Sequence, residues 1–132
     1  MGKENETRNC YDNEIIVPKN MGRMNAPSGS AVTKGICGDT MEMYLIIDKD
    51  TINDSLFYTD GCNASRMCGS VAANLAKGKS LKETLRVSPA DVIDVWKDIP
   101  QGNVHCAILS VNTLHKAIAE YLLRNRLNVD IN

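Results

Sequence analysis

Five cysteines, Cys10, Cys37, Cys62, Cys68 and Cys106, stand in a chain of 132 residues. In a reducing compartment such an odd-numbered set reads as metal-binding or reactive rather than disulfide-bonded. Cys37 lies in Gly35-Ile36-Cys37-Gly38-Asp39. Glycines let the backbone turn tightly and approach a bulky group, and the Asp39 carboxylate, two residues on, could offer an oxygen to the same metal. A plain tight turn into a strand accounts for the same residues. Cys62 follows Gly61 and precedes Asn63, which suits the N-cap of a helix starting near Ala64. A thiol at a helix N-terminus gives up its proton readily, as a nucleophile or a metal ligand must. A small residue filling a strand-to-helix turn is the bland alternative. His105 and Cys106 open the last helical region, where adjacent side chains point about 100° apart. That is poor geometry for proton transfer, although both could face a shared metal. Cys68 lies about 240° around a helix from Cys62, and Cys68-Gly69-Ser70 suits a close helix packing contact. Cys10, in a polar stretch, reads as a plain free thiol.

One apparent motif fails. Gly78-Lys79-Ser80 ends like a phosphate-binding loop, but that loop needs glycine where Ala73 stands and a strand before it. A helix C-cap followed by an N-cap explains these residues.

The elements that must position the thiols follow from periodicity. Ala31 to Ile36 reads as a short strand, and Met41 to Asp48 and Ile52 to Thr59 alternate around a turn at Asp48 to Thr51. If the turn centres near Asp50, paired residue numbers sum to about 100, so Met41 faces Thr59, and continuing the ladder brings Cys37 beside Cys62 at roughly 5 Å between Cα atoms. Helical patterns follow. Ala64 to Lys77 is stopped by Gly78, Ser80 to Glu83 forms a capping box, Pro89 opens a helix after Ser88, and Val104 to about Arg124 carries Leu114, Ala117, Ile118, Tyr121 and Leu122 on one face. Strands first and helices after predict an α+β fold: a small three-stranded antiparallel sheet with helices packed on one side.

Composition bounds the class. The length suits one domain, expected over 29–126, with a mostly flexible N-terminal segment 1–28 and a C-terminal tail 127–132. Lys plus Arg is 15 and Asp plus Glu 16, a net charge of −1. That balance argues against nucleic acid as a partner. No apolar run approaches the ~18 residues of a membrane span. The opening residues lack a secretory h-region, and Glu6 stands where a myristoylation signal wants Ser or Thr. A cytoplasmic location, with no membrane partner, is the expectation.

Four segments, Gly35-Ile36-Cys37-Gly38-Asp39-Thr40-Met41, Phe57-Tyr58-Thr59-Asp60-Gly61-Cys62, Lys77-Gly78-Lys79-Ser80-Leu81 and His105-Cys106-Ala107-Ile108-Leu109, resemble in order the NifU/IscU iron–sulfur cluster scaffold family. The resemblance runs from about Pro18 to Tyr121, with Pro18 to Gly22 similar to the family's Asn-Pro-Arg-Asn segment. It implies a three-stranded sheet with packed helices, and a nascent 2Fe–2S cluster held by Cys37, Cys62 and Cys106. Asp39 would be the fourth, oxygen ligand or would tune release, and His105 would be an alternate ligand. Sulfur would arrive as a persulfide from a cysteine desulfurase, with Cys106 as acceptor, and finished clusters would pass to apo iron–sulfur proteins. Such a protein is a scaffold and not an enzyme. A homodimer in the cluster-bound state and zinc in the apo form are further implications. The alternative function is a zinc-binding persulfide acceptor that relays sulfur from the desulfurase. The spacing from Cys62 to Cys106 leaves no room for the insertion that marks the zinc-dependent SufU branch. Ile99-Pro100-Gln101-Gly102-Asn103 departs from the Leu-Pro-Pro-x-Lys segment of members served by a specialised chaperone, which argues against chaperone-driven release. Cys68 replaces a residue that is commonly small, so a fourth thiolate near the site stays open.

Overall fold

The computed structural model describes residues 17–36 and 38–131, with side chains through 125. Strands β1 (Gly29–Lys34), β2 (Thr40–Asp48) and β3 (Thr51–Thr59) form an antiparallel sheet in the order β1-β2-β3. Helices α1 (Asn63–Ala76), α2 (Leu81–Leu85), α3 (Pro89–Val95) and α4 (Val104–Ile131) follow, with a 3-10 turn at Gln101–Asn103 before α4. The α+β architecture is the one expected.

The β2–β3 hairpin turns on Lys49 and Asp50, both at positive φ (53° and 60°). Two such residues give the turn whose twist matches its flanking strands. Pairing runs from Met41↔Thr59 to Ile46↔Asp54 in the expected register, then shifts to Ile47↔Ile52, leaving Asn53 as the extra residue of a bulge. Along β2, Met41, Met43, Leu45 and Ile47 are buried while Glu42, Tyr44 and Ile46 are only partly covered. Strand periodicity sends alternate side chains to opposite faces, so one face is core. Over it lie α1 and α4, which contribute Ala64, Cys68, Ala72, Leu114 and Ile118.

Helix starts follow the sequence signals with one exception. Ser80 accepts from the Glu83 amide while Glu83 accepts from the Ser80 amide, and the Asp91 carboxylate accepts from the Ser88 amide. The exception is α1, which begins at Asn63 with Cys62 as its N-cap and no side-chain capping bond. Asn63 therefore sits inside the helix it was expected to cap.

The mobility expected of residues 1–28 does not extend to residues 18–28. The Gly22 amide donates to the Phe57 carbonyl (2.7 Å), and the Phe57 amide to the Asn20 carbonyl (3.1 Å). The Asn20 side chain donates to the Ser70 carbonyl (3.0 Å) and accepts from the Ser70 hydroxyl (2.8 Å). Arg23 pairs with Glu42 at 2.8 Å and lies 4.0 Å over the Tyr58 ring. At the other end, α4 runs to Ile131, through most of the expected tail.

Candidate metal centre

The site is built at the end of the sheet where β2 begins and β3 ends. Before β2 the chain folds back: the Gly35 amide donates to the Asp39 carbonyl (2.7 Å) and the Gly38 amide to the Gly35 carbonyl (3.0 Å). Gly38 takes φ +94°, a conformation that side chains rarely adopt. This loop presents Asp39 at the mouth of β2. After β3, the Thr59 hydroxyl donates to the Thr40 carbonyl (2.6 Å) and accepts from the Gly61 amide (3.0 Å), while the Asp60 carboxylate accepts from the Thr40 amide (2.9 Å). These bonds tie the two strand ends together just past the last ladder pair and aim the chain into α1.

Ser65, in the first turn of α1, joins the parts. Its hydroxyl donates to Asp39 Oδ2 at 2.8 Å and lies 3.4 Å from Cys106 Sγ. Gly61 makes the approach possible: a Cβ there would lie 2.6 Å from Asp39 Oδ2 and 2.7 Å from Ser65 Oγ. From α4, Cys106 Sγ stands 3.7 Å from His105 Nε2 and 3.9 Å from Asn103 Nδ2. Side chains of a helix tilt toward its N-terminus, so the first turn of α4 gathers both tips over its start. The pair expected to be badly placed for proton transfer thus has its ring nitrogen in contact with the sulfur.

Asp39 and Cys106, far apart in sequence, thus share the Ser65 hydroxyl, and His105 lies against the Cys106 sulfur. Cys62 lies one residue past Gly61, at the same end of the molecule, and is disulfide-bonded. That is not the free thiol expected of it. Cys37 falls outside the described residues, and so does its expected place beside Cys62; Cys10 lies outside as well. Among the described residues, no group of three or more His, Cys, Asp or Glu side chains is arranged to hold a metal ion. Cys106 is 1% exposed, so its thiol is covered. Cys68, on the core-facing side of α1, is buried, and burial, with the neighbouring Cys106 charge, pushes its thiol far above the usual range. It is held neutral, as a packing residue is.

Beside the site lies a cavity of about 190 Å³ lined by Ile36, His105, Ile108 and Leu109 among others, with Ile36 93% exposed at its rim. Sequence reasoning missed Ser65. Its only signal was a serine three residues after Gly-Cys, in the first turn of a helix, too common a pattern to single out. The donor chemistry fits an iron–sulfur cargo: a soft sulfur donor suits such clusters, an imidazole can replace a thiolate, and a carboxylate is a harder, poorer match.

A small antiparallel sheet covered on one face by helices, with the Asp39 carboxylate and the Cys106 thiol both at the Ser65 hydroxyl near its end, defines an α+β protein with a thiol-bearing edge. The sequence profile of the NifU-like N terminal domain matches residues 8–128, and the chain belongs to that family. It is similar to two iron–sulfur cluster assembly scaffold proteins IscU of Archaeoglobus fulgidus, each 32% identical over 109 residues that cover 82% of this chain and 71% of theirs. It is also similar to the iron sulfur cluster assembly protein 1 of Trachipleistophora hominis, 28% identical over 130 residues, covering 92% and 94%. The fold matches the crystal structure of a NifU-like protein (N-terminal) from Brucella abortus with a TM-score of 0.66 at 16% identity, over 80% of this chain and 87% of that one. No helix among the described residues is long and apolar enough to cross a membrane.

Proposed function

We propose that this chain is a scaffold on which 2Fe–2S clusters are built from iron and desulfurase-derived sulfur and then passed to apo iron–sulfur proteins. The observation that carries the reading is the convergence of Asp39 and Cys106 on one buried hydroxyl at the sheet end, in a chain of the NifU-like family. The ligands are Cys37, Cys62 and Cys106, with Asp39 as the weak fourth and His105 as its alternate. Permanent electron carriers of this type use four thiolates; one carboxylate suits a cluster that must leave. Cys62 must be reduced before it can bind iron.

Sulfur delivery falls to Cys106. Its thiolate takes the outer sulfur of a desulfurase persulfide, a new S–S bond forms, and the desulfurase cysteine leaves as thiolate. Because Cys106 is covered, the start of α4 must open for this transfer. Zinc accepts the same kind of donors, so metal content alone does not distinguish a cluster scaffold from a zinc-holding sulfur relay. The cell interior supplies the desulfurase and the recipients, and a homodimer in the loaded state would let two copies share a cluster.

The test is anaerobic reconstitution of the reduced chain with ferrous iron, desulfurase, cysteine and a dithiol reductant, which supplies the electrons that, with those of the iron, take persulfide sulfur to sulfide. Two iron and two sulfide per cluster, followed by transfer to an apo-ferredoxin, is the expected result. Sulfur that accumulates only as persulfide, with no acid-labile sulfide, overturns the reading in favour of a relay.

A further inference from the structure

Buried serines and threonines in helices commonly satisfy their hydroxyls on the preceding turn of their own helix. Three others in this molecule do so: Ser110 donates to the Ala107 carbonyl, Thr113 to the Leu109 carbonyl and Thr84 to the Ser80 carbonyl. Ser65 is fully buried, yet its hydroxyl turns away from α1 to the Asp39 carboxylate and the Cys106 sulfur. Gly61 is what lets it do so, since a Cβ there would strike both the carboxylate and the hydroxyl. A hydroxyl has one proton to give. Here the proton goes to Asp39 Oδ2, which fixes the carboxylate's rotation and leaves Oδ1 as the oxygen free to meet a metal.

We propose that Ser65 is a positioning residue for Asp39, holding its carboxylate so that a single oxygen is offered to metal beside Cys106. This rests on the scaffold reading for its purpose, but not for its test. Hydrogen bonds to a ligating group orient it, and their loss typically weakens metal binding 10- to 100-fold.

The probe is cobalt(II), titrated anaerobically into the reduced full chain and followed by its visible absorption, in wild type, Ser65→Ala, Asp39→Ala and the double variant. Ser65→Ala removes one oxygen and leaves a good helix former, and circular dichroism checks that the fold is kept. Ser65→Ala and Asp39→Ala should each weaken cobalt binding about 10-fold, and the double variant should be no worse than either, because Ser65 acts through Asp39. Multiplying losses in the double variant, a Ser65→Ala protein that binds like wild type, an Asp39→Ala protein that does so, or a wild type that binds no cobalt each overturns the proposal. Reconstitution with desulfurase is run on the same four proteins. A coupled cobalt response without cluster formation removes the scaffold reading and leaves Ser65's role standing; cluster formation with uncoupled losses does the reverse.

Discussion

A cluster needs thiolates, and the cysteines of this chain differ sharply in their surroundings. Cys62 caps α1 beside the site and Cys106 touches the Asp39–Ser65 pair, whereas Cys68 is buried in the core. Replacing Cys37, Cys62 or Cys106 with Ala should abolish or severely weaken cluster binding, and replacing Cys10 should leave it unchanged; iron and sulfide counts after reconstitution decide it, and full retention in Cys62→Ala would sink the ligand assignment. Asp39 tests the logic of release. In an ordinary metal site, losing an oxygen donor shortens retention. In a scaffold tuned to let go, Asp39→Ala, though a weaker site for a lone cobalt ion, should hold an assembled cluster longer in air, with the His105 imidazole replacing the hard oxygen, and deliver it more slowly to an apo-acceptor. Faster bleaching of the Asp39→Ala protein than of wild type would make Asp39 a plain stabilising ligand. Asp39 was singled out from its place after Cys37, although a tight turn into a strand would use the same residues, and its meeting with Ser65 near Cys106 was not legible. Nor was the His105–Cys106 contact: helical angle alone ignores the lean of side chains toward the helix start. Ser65 was invisible because only folding brings its hydroxyl to two distant partners.

At the scale of elements, the hairpin was the most readable part. Alternating burial in β2 and a tight polar turn fix a register to the residue, and the pairing of Met41 with Thr59 follows. The Asn53 bulge was not read: it shifts the phase of β3, so Ile52 is buried with Ser55, Phe57 and Thr59 rather than sharing a face with Leu56 and Tyr58. The strap over residues 18–28 was equally hidden: it is fixed by amides, Asn20 and Arg23 rather than by an apolar pattern. Its pairing yields a pH prediction. The hydrogen bond from Arg23 holds the Glu42 carboxyl below the ordinary glutamate range. A lowered folded pKa gives stability that is present above the unfolded value and lost as pH falls through the folded one. Wild type should therefore melt above Glu42→Gln at neutral pH, with the gap closing on acidification. A gap that stays constant through the carboxylate range would show that the ion pair contributes nothing; the pair is half-exposed, so the gap is small.

Across the whole molecule, one layer of helix lies on one layer of sheet, and α1 meets the sheet tightly at Gly69. A Cβ on Gly69 would sit 2.4 Å from Phe57 Cδ2 and 3.0 Å from Met41 Sδ, and both neighbours are fully buried. Overpacking of this kind costs roughly 1–3 kcal/mol, so Gly69→Ala should lower the denaturation midpoint without changing its slope, by urea titration of the apo protein. An unchanged midpoint would mean that α1 can rise off the sheet freely. The composition and the strand-then-helix order made this layering readable, but not the approach distance, which depends on side chains from two elements meeting face to face.

Asp39, Ser65 and Cys106 come from three stretches of chain, separated by 26 and 41 residues, and an occupant gripping the first and the last closes a loop on everything between. Because those residues meet only in the fold, an occupant that binds only the folded form stabilises it by mass action. Loading and folding are then one equilibrium seen from two sides. The filled chain should melt at a higher temperature and resist a protease longer than the empty one, and an acceptor that strips the cargo should return both to the empty values. Identical melting of filled and empty chains would mean that the load hangs from one segment alone. Where the coupling holds, every delivery leaves a looser carrier behind, so the empty form, not the filled one, is the state most exposed to degradation.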